Sequence, residues 1–140
     1  MSTRAKSIKD AIAALLTAST PLASGNVFES RLRKLQDEYA LAIVVRRGPD
    51  VRIGPTTLDR TQRQLLVGVE VYARGDIPDD LADPVMEAIV DRVMADRELG
   101  GLCDDISIGN VVPDWAARDS DLVVMDMEFL VDYEISNGDL

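Results

Sequence analysis

The chain has 140 residues, no histidine and a single cysteine, Cys103, so any chemistry it carries must run on carboxylates, hydroxyls, lysines and arginines. The first absence removes the usual proton shuttle, the histidine-based triads and the histidine-based zinc sites. The second removes an internal disulfide and any cysteine-cluster metal site. Carboxylates are abundant and fall into three groupings: Asp79-Asp80-Asp83, Asp104-Asp105, and the run Asp126, Glu128, Asp132, Glu134. A two-metal centre needs carboxylates around ions about 4 Å apart. Same-face neighbours on a strand lie about 6.5–7 Å apart, and no positioned base stands beside them. Asp79 and Asp80 are accounted for as helix-capping residues and as negative charge at a helix N-terminus. No loop has the regularly spaced oxygens and closing glutamate of an EF-hand. The expectation is therefore no enzyme activity, no catalytic residue and no cofactor, with at most an adventitious divalent cation at a subunit interface.

Other candidates weaken on the same terms. Gly100-Gly101 with Gly109 makes no phosphate cradle, because no Gly-Lys-Ser/Thr follows and the helix-to-strand order is reversed for a nucleotide loop. Cys103, next to Asp104 and Asp105, has no basic neighbour in sequence to lower its thiol pKa, so it is expected to be inert. Arg31, Arg33 and Lys34, with Arg46 and Arg47 and with Arg60 and Arg63, are candidate contacts to DNA or to an acidic protein surface. Trp115, in a Pro-Asp-Trp-Ala-Ala turn, is either a lid on the core or an interface anchor. Asp126 and Glu128 complete the candidate interface set as the exposed acidic side of a strand.

The elements that must position these residues follow from periodicity. Ser7–Thr17 has apolar residues at helical spacing and ends before Thr20-Pro21. Val27-Phe28 is a short strand, and Ser30–Tyr39 is charged and irregular. Ala40–Arg46 is a β-branched strand closed by Gly48-Pro49-Asp50, with Asp50–Ile53 as a hairpin return and Arg46–Arg63 as an exposed arm or hairpin loop. From Gln62 to Arg74, Leu65, Val67, Val69, Val71 and Ala73 share one face of a long strand. A helix follows from Asp79 or Asp80 to about Asp96, with Pro84 in its first turn and a stripe of Leu81, Val85, Met86, Ile89, Val90, Val93 and Met94. Leu99-Gly100-Gly101-Leu102 ends it. Asp105–Val112 is a strand and Pro113–Ala117 a turn. Val123, Met125, Met127, Phe129, Val131, Tyr133 and Ile135 then alternate with polar residues along the last strand. The order predicts a single α+β domain over residues 1–140, a mainly antiparallel or mixed β-sheet with two helices packed on one face.

Charge is uneven along this order. Fifteen basic and twenty-five acidic residues give −10. Residues 1–75 hold twelve basic and seven acidic residues, while residues 76–140 hold three and eighteen. So acidic a chain is a poor partner for a phosphate backbone, and no window is long and apolar enough to span a bilayer. Basic and acidic regions of this kind can meet between copies.

Taken in order, the chain resembles the tail terminator proteins of long-tailed bacteriophages, the minor tail protein U type, over roughly residues 5–136. The features that carry the resemblance are the alanine-rich first helix, Val27-Phe28-Glu29-Ser30-Arg31, and the strand Leu41–Val45. They continue with the strand Arg63–Ala73 before a helix near Asp79, the passage Asp96-Arg97-Glu98-Leu99-Gly100-Gly101-Leu102-Cys103-Asp104-Asp105-Ile106, and the long closing strand. The resemblance implies a structural virion protein: a homo-hexameric ring at the head-proximal end of the tail, assembled in the host cytoplasm. Such a ring caps the tail tube, stops its polymerisation and forms the surface for head–tail joining. The implied partners are copies of itself, the tail tube protein and a head–tail connector protein, with no membrane and no specific nucleic-acid binding, though DNA passes through the ring. Competing readings are another head–tail connector or tail-completion protein, a nonviral protein–protein interaction module and a small hydrolase.

Overall fold

The two strands with the strictest alternation form the centre of the sheet. The computed structural model describes residues 3–17, 27–29, 41–54, 59–75, 77–115 and 122–136. In chain order the elements are α1 (Arg4–Thr17), β1 (Val27–Glu29), β2 (Leu41–Arg52), β3 (Arg60–Arg74), α2 (Pro78–Met94), a 3₁₀ turn at Leu99–Gly101, β4 (Asp105–Trp115) and β5 (Leu122–Ser136). The sheet order is β1-β2-β3-β5-β4. Every neighbouring pair is antiparallel except β1 with β2, so the sheet is mixed and mainly antiparallel, as expected for this α+β class.

β3 and β5 pair without interruption from Arg60 opposite Ser136 to Arg74 opposite Leu122. Leu65, Val67, Val69, Val71 and Ala73 on β3 are fully buried, as are Phe129 and Val131 on β5. Together with Tyr133 they join Ile89 and Val93 of α2 and Ile8, Ile12 and Leu16 of α1 in one core, on which Val85 also packs. α1 lies over β1 and β2, and α2 over β3 and β5. Arg92 ties the helices together by donating to the carbonyl of Leu16 at 3.1 Å, a cation at the C-terminal end of α1.

Several boundaries differ from expectation, each for a physical reason. β2 does not close at Gly48-Pro49-Asp50. It runs on to Arg52 through a register shift between Arg47 and Asp50, so Asp50–Ile53 is the same strand rather than a hairpin return. A Cβ on Gly48 would stand 2.9 Å from Leu66 Cδ2 and 3.0 Å from its carbonyl oxygen, so the glycine allows β3 to approach the bulge. Of the Arg46–Arg63 segment, the described limbs pair with each other as a hairpin, and β3 also pairs with β5 there; residues 55–58 lie outside the described residues. β4 likewise passes through Pro113 to Trp115, because an edge strand tolerates a residue without an N–H.

α2 starts at Pro78, with Ile77 as its N-cap and no side-chain cap. Proline at the first helical position is pre-set for that turn, which puts Asp79 and Asp80 inside the helix rather than at its cap. Pro84 then lies beyond the first turn; Asp80, whose carbonyl it would otherwise bond, is exposed and water can satisfy the group. The buried stripe contains Ala82 rather than Leu81, which is 40% exposed. Leu99, Gly100 and Gly101 all have positive φ (49°, 67° and 100°), the left-handed region that glycine occupies freely. Three such residues in succession reverse the chain from α2 into β4. The segment Ser30–Tyr39 lies outside the described residues.

Candidate functional site

The face of the sheet turned away from α1 and α2 carries the polar constellation. The alternation that sends Ile43, Val45, Val69 and Met127 inward sends Ala42, Val44, Arg46, Glu70, Asp126 and Glu128 outward. Cross-strand register sets Arg46 opposite Gly68 and Gly68 opposite Glu128, with Glu70 opposite Asp126 one pleat away. Arg46 Nε donates to Glu70 Oε1 at 2.8 Å. Gly68 contributes no side chain, so the sheet has a hollow there. An open cleft of about 230 Å³ is lined by Arg46, Arg47, Gly48, Pro49, Leu66, Gly68, Asp126 and Glu128. Asp126 Oδ1 is buried without a hydrogen-bond partner among the described residues.

Electrostatics on this face are governed by burial. Burial pushes the Glu70 carboxyl up, opposed by Arg46 and reinforced by Asp126. Burial also pushes Asp126 up, opposed by Arg46 and reinforced by Glu128 and Asp114. A raised folded-state pKa means that the folded chain holds its proton more tightly, so these groups add stability as pH falls through the raised values. Asp105 has the opposite sign. Its bidentate pair with Arg97 at 2.8 and 2.9 Å lowers its pKa, so its contribution is lost on acidification. Replacing Glu70→Gln and Asp126→Asn together should flatten the acid-side gain. The check is the denaturation midpoint of both proteins at pH 7 and pH 5; an unchanged difference between them would remove burial as the source.

A second cleft, of about 290 Å³, opens at the junction of the α1 N-terminus and the far end of the β2–β3 pair, lined by Thr3, Ala5, Arg47, Gly48, Asp50 and Arg63. Arg47 Nη1 donates to Thr3 Oγ1 at 3.1 Å. Arg63 Nε donates to Asp50 Oδ1 at 2.9 Å and Nη2 to the Asp50 carbonyl at 3.1 Å, while the Tyr133 hydroxyl donates to Asp50 Oδ2.

The structure thus brings together Arg46, Arg47, Asp126 and Glu128 around one cleft, and sets Arg47 and Arg63 on another. Arg63 is not a presented charge; it and Asp50 are each 21% exposed and face one another. Arg60 is exposed at the start of β3, opposite Ser136. Trp115 is the last residue of β4, opposite Val123, in a strand rather than the expected turn, and its side chain lies outside the described residues. Arg31 and Arg33 lie outside them altogether. Gly68, which shapes the first cleft, and Asp50, which holds the second, were not singled out from sequence. Their signals were a lone glycine inside a strand and a residue just past a glycine-proline pair.

The carboxylate groupings do not converge on a metal-binding arrangement. Among the described residues no group of three or more His, Cys, Asp or Glu could hold a metal ion. Asp104 is pushed up by burial and then by Glu134 and Asp132, which sit together at one end of β5. Cys103 is buried and donates to the Arg97 carbonyl at 3.3 Å. Burial and the surrounding carboxylates push its thiol up to about 12, opposite to the shift an active thiolate needs.

No protein-family model matches the sequence, and no curated protein matches it. Among solved structures, the chain is similar to a chain of the virion of native gene transfer agent (GTA) particle. The TM-score is 0.66 at 17% identity, and the match covers 91% of this chain and 95% of the other. At that identity the likeness is one of fold.

Proposed function

We propose that the chain is a structural virion protein of a phage-like tail. In this reading, six copies form a ring that sits on the completed tail tube, stops its polymerisation and presents the surface that joins the head. The observation that carries it is the fold shared with a chain of a gene transfer agent virion over 91% of this chain and 95% of that one. The order of elements that resembles tail terminators supports the finer assignment. A role without substrate turnover is consistent with the unconverged carboxylates and the inert thiol. No described helix is long and apolar enough to cross a membrane.

Charge fits the same reading. Six copies at −10 carry −60, and any of that excess facing the channel hinders DNA from adhering during passage. The tube protein and a connector protein are the partners this role requires.

The test is the length distribution of tubes grown from purified tube protein as this protein is added. A terminator stops extension at substoichiometric amounts, because only tube ends bind it, and electron microscopy shows density at one end. Unhindered growth with bare ends would overturn the terminator assignment in favour of another connector role.

A further inference from the structure

Both edges of the sheet carry exposed apolar residues. Of the seven large hydrophobic residues exposed among the described ones, Val51 lies at the far end of β2 and Ile53 just past it, and Ile108, Val111 and Val112 lie on β4. Among the described residues, β4 is an edge strand over its whole length. On the other side, β1 covers β2 only at Ile43–Val45, and among the described residues no strand lies beside Arg46–Arg52. Exposed edges of this kind are templates for pairing with another chain.

Three further facts make the two edges fit one another. First, their net charges are opposite in sign, with part of each neutralised within the chain. β2 carries Arg46, Arg47 and Arg52 against Asp50, with Arg46 paired to Glu70 and Asp50 to Arg63, while β4 carries Asp105, paired to Arg97, and Asp114 and no basic residue. Secondly, they lie at the same level along the strands. One cross-strand row runs Asp50, Leu65, Val131, Ile106, and the next runs Val51, Gln64, Asp132, Asp105. Thirdly, the strand directions match. β2 runs parallel to β5 and β3 parallel to β4, because each neighbouring pair is antiparallel. A β4 strand brought beside β2 by a neighbour in the same orientation is therefore antiparallel to it, and the alternation continues across the boundary.

We propose that copies of this chain join head to tail, β4 of one copy adding to the free far half of β2 in the next so that the sheets become continuous. The occupant of each edge is thus a second copy. Such a contact is heterologous; edges at equal height let it close into a ring without a rise per subunit, whereas a rise would give a filament. The inference rests on the ring reading for its closure but not for its contact. A stretch of fewer than ten paired residues is a small interface by the standard of about 800 Å² per partner, so association should strengthen with concentration or on a template.

Cysteine cross-linking tests it. Val51 and Ser107 are exposed on the same outer face, one on each edge. Val51→Cys and Ser107→Cys are made separately in a Cys103→Ser background, each checked for an unchanged unfolding transition. They are then treated at rising concentration with a bismaleimide spanning about 8 Å, enough for a directly opposed or diagonal pair. The expected result is cross-linked dimer when the two variants are mixed and none from either alone, with a ladder from the chain carrying both substitutions. Self-linking of Ser107→Cys, which marks a two-fold β4–β4 contact, would overturn the proposal, as would no link in the mixture. Electron microscopy of the unsubstituted chain separates the two readings. Rings without the mixed link leave the ring assignment and remove this contact; the mixed link with open filaments keeps the contact and removes the ring.

Discussion

Replacing Phe129 by Ala should destabilise the protein by about 3–5 kcal/mol, the range for deleting a large aromatic side chain from a packed core. Phe129 is fully buried at the centre of β5, opposite Val67 on one side and Ile108 on the other, in the cluster that holds Ile89 and Val93 of α2. Both terms of the cost apply: lost transfer free energy and a cavity that two flanking strands and a helix cannot collapse. Phe129→Leu, which refills much of the space, should cost less. Val112→Ala, on the exposed edge, should change stability by under about 0.5 kcal/mol. Urea denaturation with the slope held in view checks all three. A loss below about 1 kcal/mol for Phe129→Ala would mean that β5 does not face the helices.

That placement was legible because β3 and β5 are half-buried strands, and period-two alternation is the direct imprint of one wet and one dry face. Every inward β3 residue expected from Leu65 to Ala73 is buried. Legibility failed where a local punctuator met a stronger tertiary pairing. Gly48-Pro49 and Pro113 are turn signals in isolation, yet the first sits in a bulge against Leu66 and the second on an edge strand, and neither context has a local signature. The α2 stripe was displaced at its start because Pro78, not an aspartate, begins the helix, and Ala82 takes the buried position that the larger Leu81 was expected to hold.

The candidate site was legible by residue type and not by neighbourhood. Asp126 and Glu128 are on the outer face, as alternation requires, and register alone brings Arg46 and the hollow at Gly68 to them. Register depends on the one-residue shift in β2, which no periodicity across Gly48-Pro49 reveals. Arg46 and Arg63 were grouped as presented charges, but Arg46 is paired to Glu70 and Arg63 to Asp50. Sequence shows that a charge exists; only the fold shows what it already touches.

The same shift carries the second large prediction. Without it, Pro49 would stand opposite Leu65 and Asp50 would point outward. With it, Asp50 itself stands opposite Leu65 and turns its carboxylate to the inner face, where Arg63 and the Tyr133 hydroxyl donate to it. Three adjacent strands are thereby tied at one point. Asp50→Ala leaves a buried hydroxyl without its acceptor and the guanidinium with only the residue-50 carbonyl, and should cost about 2–3 kcal/mol, below the value for a fully buried pair because Asp50 and Arg63 keep some contact with water. Tyr133→Phe removes one donor and should cost about 1 kcal/mol; the two changes together should cost less than their sum. Burial and Asp50 push the Tyr133 hydroxyl up to about 12. The folded chain then retains a proton that an unfolded tyrosine releases near pH 10, so this stability is complete below about pH 10 and disappears as pH rises to about 12. Tyr133→Phe should therefore also reduce the alkaline loss of stability, measured as the unfolding midpoint between pH 8 and pH 11. An Asp50→Ala loss under about 0.5 kcal/mol, with the alkaline slope intact in Tyr133→Phe, would show that the three groups do not act together. If they do, the far half of β2 is held rigid by an inward carboxylate while its outer edge stays exposed, the preorganisation that pairing with a neighbouring strand requires.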